Sequence, residues 1–353
     1  MHIKTITFLI AVFVLVAGLV ATGWAQTGKA MSLEQLAAYN KPDREKVLYA
    51  GAKAEGKTTW YTSLAGGSYK DLAAAFESQY PGVKVESYRG TRQELGARIL
   101  AESQAKRHIV DTIETTIPLL KLLKDNKLIA PFYFTSEAKY PEHVKEKGAK
   151  GLVYWAIDRE SHIGLSYNKN SIPANLVPKN YDGLLRPELK DKIGLAGSDT
   201  GVTVIGAMLK FKGEEYIKKL RTLNPAVHNV SGRALLDMVI TGEVGVSPTT
   251  FRNHAEVSLK ANAPIEWLPM DIVPSNSGST AVSANAPHPH AALLLADFIL
   301  GPGGQKVLEQ YEYGSPIKDY GFKRWYPEQG LTTEQYEKLD ERWNKTLREL
   351  SRR

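Results

Sequence analysis

The chain opens with a nearly unbroken apolar run from Ile6 to Val20 and then changes character. From residue 44 onward, short β-branched or aromatic runs alternate with segments whose apolar residues recur every three or four positions. Arg44–Ala54 reads as a helix, Lys57-Thr58-Thr59-Trp60-Tyr61 as a strand, and Ser68–Tyr80 as a helix carrying Leu72 and Phe76 one turn apart. Pro81-Gly82 stops that helix. Strand Val83–Tyr88 and helix Arg92–Ser103 follow, then strand Ile109–Thr112 and helix Leu119–Asp125. Gly151–Ala156 and Ile163–Tyr167 read as two further strands, with Asp158-Arg159-Glu160-Ser161-His162 as a charged loop between them.

Beyond Pro178 the alternation restarts, with strand Lys192–Ala196, helices Val202–Lys212, Glu214–Leu223 and Gly232–Thr241, and a short strand Gly245–Ser247. A strand at Pro264–Trp267 and a helix from Pro287 to Leu300 come next. The tail from Leu331 is an amphipathic helix opened by Thr332 with Gln335 three positions on, the spacing of a capping box. Strand-helix alternation in two successive blocks predicts an α/β fold of two doubly wound lobes with a hinge. The expected division is a leader over 1–25, a first lobe over 26–162, a second over 163–258, a return to the first over 259–300 and a C-terminal helical segment over 301–353.

The opening run changes the picture of where the chain works. Lys4, the apolar stretch and small residues at Gly23 and Ala25 read as a secretory signal peptide, with cleavage expected after Ala25 and an uncleaved membrane anchor as the alternative. No later segment is long and apolar enough to span a bilayer, so no membrane span is expected after cleavage. The 353 residues contain no cysteine, which removes disulfides, thiolate metal sites and cysteine nucleophiles together. The formal net charge is +7, but the basic residues are scattered, so nucleic acid is not an expected partner.

Candidate chemistry gathers where strands run into helices. Tyr61-Thr62-Ser63 precedes the first such helix, in which Ser68 and Asp71 are spaced as a capping box. Arg89-Gly90-Thr91-Arg92 precedes the second, with Thr91 and Glu94 spaced likewise. Ser198-Asp199-Thr200 and Ser231-Gly232 repeat the arrangement in the second block. Helix N-termini expose unpaired N–H groups and the positive end of the dipole, so recurrence of this pattern in both blocks suggests contacts to an anion. Arg89 and Arg92 could fork onto a carboxylate, as could Arg252 in Thr250-Phe251-Arg252, and Tyr61 or Trp155 would supply a wall. The sequence lacks G-x-S-x-G and H-E-x-x-H, so no catalytic residues are assigned and an enzyme is not expected. Gly51–Thr58 matches the phosphate-loop pattern, but a helix precedes it and a strand follows, the reverse of the required order; it reads as a helix end. His288-Pro289-His290 has a metal-like spacing without a carboxylate in the next turn, so no metal or other cofactor is expected.

Several segments taken in order resemble exported solute-binding proteins of ABC importers, in the type II class near the ferric-iron-binding and extracellular solute-binding branch. They include Ala54-Glu55-Gly56-Lys57, Phe76–Val83, Gly164-Leu165-Ser166-Tyr167-Asn168-Lys169, Tyr181–Leu185 and Leu300-Gly301-Pro302-Gly303-Gly304-Gln305. The resemblance implies the type II periplasmic binding protein fold, a small-molecule solute captured between lobes, a permease in the inner membrane as partner, and a periplasmic location. Ferric-binding members carry paired tyrosines shortly after the segment matching Gly242-Glu243-Val244. Here that stretch reads Ser247-Pro248-Thr249-Thr250-Phe251-Arg252, so a carboxylate, phosphonate or phosphate ester is the first expectation. Ferric iron held by Tyr61 and Tyr167 is the alternative, and an exported enzyme a further one.

Overall fold

Residues 31–351 are described by the computed structural model; the leader and its cleavage point after Ala25 lie outside them. The described chain starts with α1 (Leu33–Ala37) and α2 (Arg44–Glu55). Gly56 closes α2 at φ 77°, the left-handed conformation that glycine adopts without a Cβ clash, and the chain runs straight into β1 (Lys57–Thr62). The Gly-Lys-Thr sequence is therefore a helix end. α3 (Ser68–Gln79), β2 (Lys84–Arg89), α4 (Arg92–Gln104), β3 (Thr112–Thr116) and α5 (Ile117–Asp125) continue the alternation. Thr91 and Glu94 form the expected reciprocal cap on α4. Ser68 and Asp71 do not: Gly67 is the N-cap of α3, the Ser68 hydroxyl bonds back to the Ala65 carbonyl, and Asp71 accepts from Tyr311.

Two short strands, β4 (Ile129–Ala130) and β5 (Lys145–Lys147), lead to β6 (Val153–Asn168), a single strand of 16 residues where the sequence suggested two strands and a charged loop. The charges of Asp158–His162 stay inside because partners distant in sequence meet them. Thr280 donates to Asp158, Arg159 pairs with Glu114, and Glu160 accepts from Arg324 and Tyr326 while its other contact is His162. The second block holds β7 (Gly194–Ala196), α6 (Asp199–Lys212), α7 (Glu214–Thr222), β8 (Ala226–His228), α8 (Gly232–Thr241), β9 (Val246–Phe251), α9 (Arg252–Lys260) and β10 (Ile265–Leu268). β9 runs four residues past the expected Ser247, with Pro248 accommodated where the register against β6 shifts. The chain ends with β11 (Val273–Ser283), α10 (Pro289–Leu300), α11 (Pro302–Gln310), β12 (Arg324–Trp325) and α12 (Thr333–Ser351).

Pairing divides the strands into two lobes. In the first, the order is β2-β1-β3-β11-β6; β1 is parallel to β2 and β3, and β11 is antiparallel to both β3 and β6. In the second, β6 lies between antiparallel β9 and β10, and Ile193 bridges to Val246 in the parallel sense, joining β7 and its parallel partner β8. β6 serves both sheets: His162 still pairs with β11, and Ile163 already pairs with β9. The first lobe packs Trp60, Leu72, Phe76, Leu95, Ile113 and Leu120 out of water. The second packs α6, α7 and α12 on one side, around Ile205, Met208, Leu220 and Trp343. On the other side α8 and α9 pack around Leu235, Leu236 and Ala255. Helices on both faces of each sheet make the fold doubly wound.

Candidate functional site

Open α/β sheets hold ligands beyond the carboxyl ends of their strands. Here those ends face a cavity of about 240 Å³ lined from both lobes. The first lobe contributes Thr91, Arg92 and Gln93 at the start of α4 and Thr116 at the start of α5; the second contributes Asp199 and Thr203 of α6. Ser275 and Asn276 come from β11, and Glu328, Tyr336 and Asp340 come from the C-terminal segment. A larger groove of about 550 Å³ adjoins it between α4, α5 and α12, sharing Arg92, Tyr336 and Asp340. That groove has no lining from α6 or β11.

Arg159 sits one strand behind the cavity. Thr116, Gly278 and Arg159 are Cα partners across β3, β11 and β6, so Thr116 and Arg159 stand two strand spacings apart, about 10 Å. The Arg159 side chain crosses over Gly278 to reach Glu114. A Cβ on Gly278 would lie 2.4 Å from Glu114 Oε1 and 2.7 Å from the guanidinium carbon, so only glycine leaves room for the pair. Nη2 of Arg159 is 3.0 Å from Glu114 Oε1 and 3.4 Å from the Ser63 hydroxyl, and the guanidinium carbon lies 5.2 Å from the Tyr313 ring centre. Its Nε is buried without a hydrogen-bond partner. Glu114 Oε2 in turn accepts from the Thr62 hydroxyl at 2.6 Å and the Ser63 amide at 2.9 Å, which fixes the loop after β1. Next along β6, burial drives the Asp158 carboxyl well above its ordinary range, reinforced by the Glu114 charge.

A second polar knot lies where β6 changes sheets. Burial alone would raise Glu160, but His162, Tyr326 and Arg324 outweigh it and hold the carboxyl below its usual range. These contacts tie the C-terminal segment to the strand shared by the lobes. Among the described residues, no group of three or more His, Asp or Glu is arranged to hold a metal ion. The two histidines with metal-like spacing instead meet separate carboxylates, His288 with Asp111 at 2.8 Å and His290 with Glu55 at 2.7 Å, at the start of α10.

The sequence-selected residues divide into three groups. Ser63 reaches the Arg159 cluster; Thr91 and Arg92 line the cavity; and Ser198 and Thr200 flank Asp199, with the Ser198 hydroxyl buried and unpartnered. Thr200 packs against Gly232 at the start of α8, where Ser231 caps the Ala234 amide, and in the first lobe Arg89 at the end of β2 donates to the Leu64 carbonyl at 3.3 Å. Arg252 lies at the start of α9, 3.5 Å from Glu256, with its guanidinium 5.3 Å from the Tyr320 ring centre. The remaining four lie within the lobes. Thr62 is fully buried on Glu114, Thr250 bonds Ser166 and the Gly164 carbonyl, and Trp155 is buried beside Lys124. Tyr61 is buried against α4, where it donates to Glu102 and accepts from Arg98. Burial and the Glu102 carboxylate raise its phenol above the ordinary range; burial and Glu266 push Tyr167 up to about 12. These two phenols stand in different lobes and are not brought together.

Sequence reasoning missed Arg159, Thr116, Asn276, Glu328, Tyr336 and Asp340. Arg159 looked solvated because its neighbours are charged, and its partner Glu114 is 45 positions away. The others lie in stretches with no local signature, and only the fold assembles them.

Residues 111–332 match the bacterial extracellular solute-binding protein family. Among solved structures, the chain resembles iron-bound HitA from Pseudomonas aeruginosa (20% identity, TM-score 0.65), covering 84% of this chain and 99% of that one. It also resembles the periplasmic binding protein AfuA from Actinobacillus pleuropneumoniae with fructose-6-phosphate bound (19% identity, TM-score 0.64, 83% and 99% covered). The ferric binding protein from Campylobacter jejuni is a third similar structure (19% identity, TM-score 0.63, 84% and 100% covered). No curated protein matches the chain by sequence. No single helix among the described residues is long and apolar enough to cross a membrane. With two lobes sharing β6, a cavity walled from both, and a family match over most of its length, the chain belongs to the bacterial extracellular solute-binding proteins.

Proposed function

We propose that this protein captures a small anionic organic solute (a carboxylate, phosphonate or phosphate ester) between its lobes. It would deliver the solute to an ABC permease of the inner membrane, working in the periplasm after its leader is removed. The observation that carries the anionic reading is Arg159: a buried guanidinium with a free Nε, beside the Ser63 hydroxyl and behind the cavity. A planar fork of this kind matches carboxylate and phosphate oxygens in pairs. The cationic Arg92 side chain and the amides opening α4 and α6 extend the same preference. Contacts from both lobes favour the closed form, which is the state a permease can distinguish from the empty one. The role is binding and release, with no covalent step. The bound fructose-6-phosphate of AfuA is consistent with a phosphate ester, at the level of shared fold.

The test is calorimetry against carboxylates, phosphonates and sugar phosphates. At least one should bind, and Arg159→Lys, which keeps the charge for Glu114 but loses the fork, should weaken it about tenfold or more. Ser63→Ala with Thr91→Ala should act in the same direction. Unchanged affinity in both variants would remove the anion site. Ferric iron is the second reading, favoured by the iron-bound state of HitA. It requires phenolates from Tyr61 and Tyr167, and each phenol here faces a carboxylate that opposes ionisation. A phenolate-to-iron absorption band on adding ferric citrate would favour iron.

A further inference from the structure

Part of the cavity's third wall, Tyr336 and Asp340, comes from outside the part of the chain that matches the family, while Glu328 lies just inside it. The match ends at residue 332, and α12 begins at Thr333. Its N-terminal approach is held by the first lobe: Lys121 donates to the carbonyls of Glu328 and Leu331, and Thr333 donates to Asp125. Its far half is held by the second lobe, where Trp343 lies against Gly206 and Trp325, and Arg342 meets Glu214 at 2.6 Å. Beside Tyr336, the segment between these anchors presents two acidic side chains to the cavity, Glu328 and Asp340, and Asp199 of α6 lines the same cavity. Glu328 is 8% exposed and its Oε2 has no hydrogen-bond partner. Among the described residues the side-chain hydrogen-bond partner of Asp340 is Asn344, and burial and the neighbouring Asp199 charge raise its carboxyl. The cationic groups close by are Arg92 in the cavity and Lys121, which is spent on carbonyls. Three carboxyls against the Arg92 guanidinium and the Lys121 ammonium beside Glu328 leave this wall short of positive charge, with one buried acceptor unfilled.

We propose that the wall formed by Asp199, Glu328 and Asp340 binds the ammonium group of a zwitterionic solute, whose anionic end lies toward Arg159 and Ser63. The substrate class is therefore an amino-carboxylate or aminoalkyl phosphonate, small enough for a cavity of about 240 Å³. The inference rests on the anionic reading above for one end of the solute and adds the other end independently. α12 thereby makes Asp340 a specificity-determining residue.

Calorimetry with matched pairs tests this: ω-amino carboxylates and aminoalkyl phosphonates against the same anions lacking the amine, in the unmodified protein, Asp340→Asn and Asp199→Asn. The aminated member should bind at least tenfold tighter. Each variant should erase most of that preference by weakening the aminated member, while the amine-free anion, relieved of a nearby negative charge, binds no more weakly than before. Equal binding of both members would overturn the ammonium site and leave the anionic reading standing. Binding of a plain diamine, lost in Asp340→Asn, with no anion bound would support the acidic wall and overturn the anionic reading. Absence of binding by any of these compounds would overturn both.

Discussion

At the scale of the residue, the chemistry is decided by how far each charge is removed from water. Glu328 shows this most directly. Burial pushes its carboxyl up to about 7, opposed by Lys121 and Arg92, whereas in the unfolded chain it titrates in the ordinary glutamate range. The folded state therefore holds a proton that the unfolded state releases between roughly pH 4.5 and 7. Its contribution to stability is present below that window and is lost as pH rises through it, by on the order of 3 kcal/mol. Glu328→Gln should flatten that part of the stability profile and be the more stable protein at pH 8, as measured by urea unfolding at a series of pH values. A steeper loss in the variant would show that the carboxylate is paired when ionised. His254 acts in the opposite direction. Burial lowers it to about 4, so its contribution is present above pH 6.5 and lost as pH falls toward 4. The hydroxyls placed before helices drew attention to Thr91, which lines the cavity, and to Ser63, which meets Arg159 and Glu114. Arg159 was not legible in the sequence, because its burial depends on Glu114, and nothing local to either residue announces the other.

At the scale of the element, local chemistry set most of the boundaries. The capping boxes at Thr91–Glu94 and Thr332–Gln335 form as their spacing requires, and Gly56 stops α2 where its φ of 77° allows. The failures are equally specific. Ser68 looked like a cap but lies inside α3, and β6 looked broken because five polar residues in a row usually mean solvent. In β6 tertiary partners override composition, which no window of neighbouring residues can reveal. The packing of α12 gives a direct prediction. A Cβ on Gly206 would come within 2.7 Å of the Trp343 ring, so Gly206→Ala must displace α12 from α6. Urea unfolding should record a loss of about 1–3 kcal/mol, the usual cost of overpacking, and solute affinity should fall with it because Asp340 rides on the same helix. Loss of stability with unchanged affinity would separate α12 from the site.

At the scale of the whole molecule, β6 and β11 link the lobes and α12 spans them. A solute that bridges the crevice stabilises the closed arrangement by its contacts on both sides. At a hundred times its dissociation constant, a binder should raise the free energy of unfolding by about 2.7 kcal/mol. Small-angle scattering should record a smaller radius of gyration with the solute than without it; a rise in stability with no compaction would argue against hinged closure. The sequence by itself determined the alternation of strand and helix, the export leader as an expectation, the two α/β blocks and the hydroxyl-bearing turns, because periodicity, capping and chain reversal depend on residues within a few positions of one another. Folding in three dimensions was needed to turn Tyr61, Thr62, Trp155 and Thr250 inward, to hold Arg159 over Gly278 by Glu114, and to set Glu328 and Asp340 of the C-terminal segment on the cavity. Those outcomes depend on which side chains share a buried volume, and burial, charge pairing and cavity shape arise from contacts between segments that the linear order keeps apart.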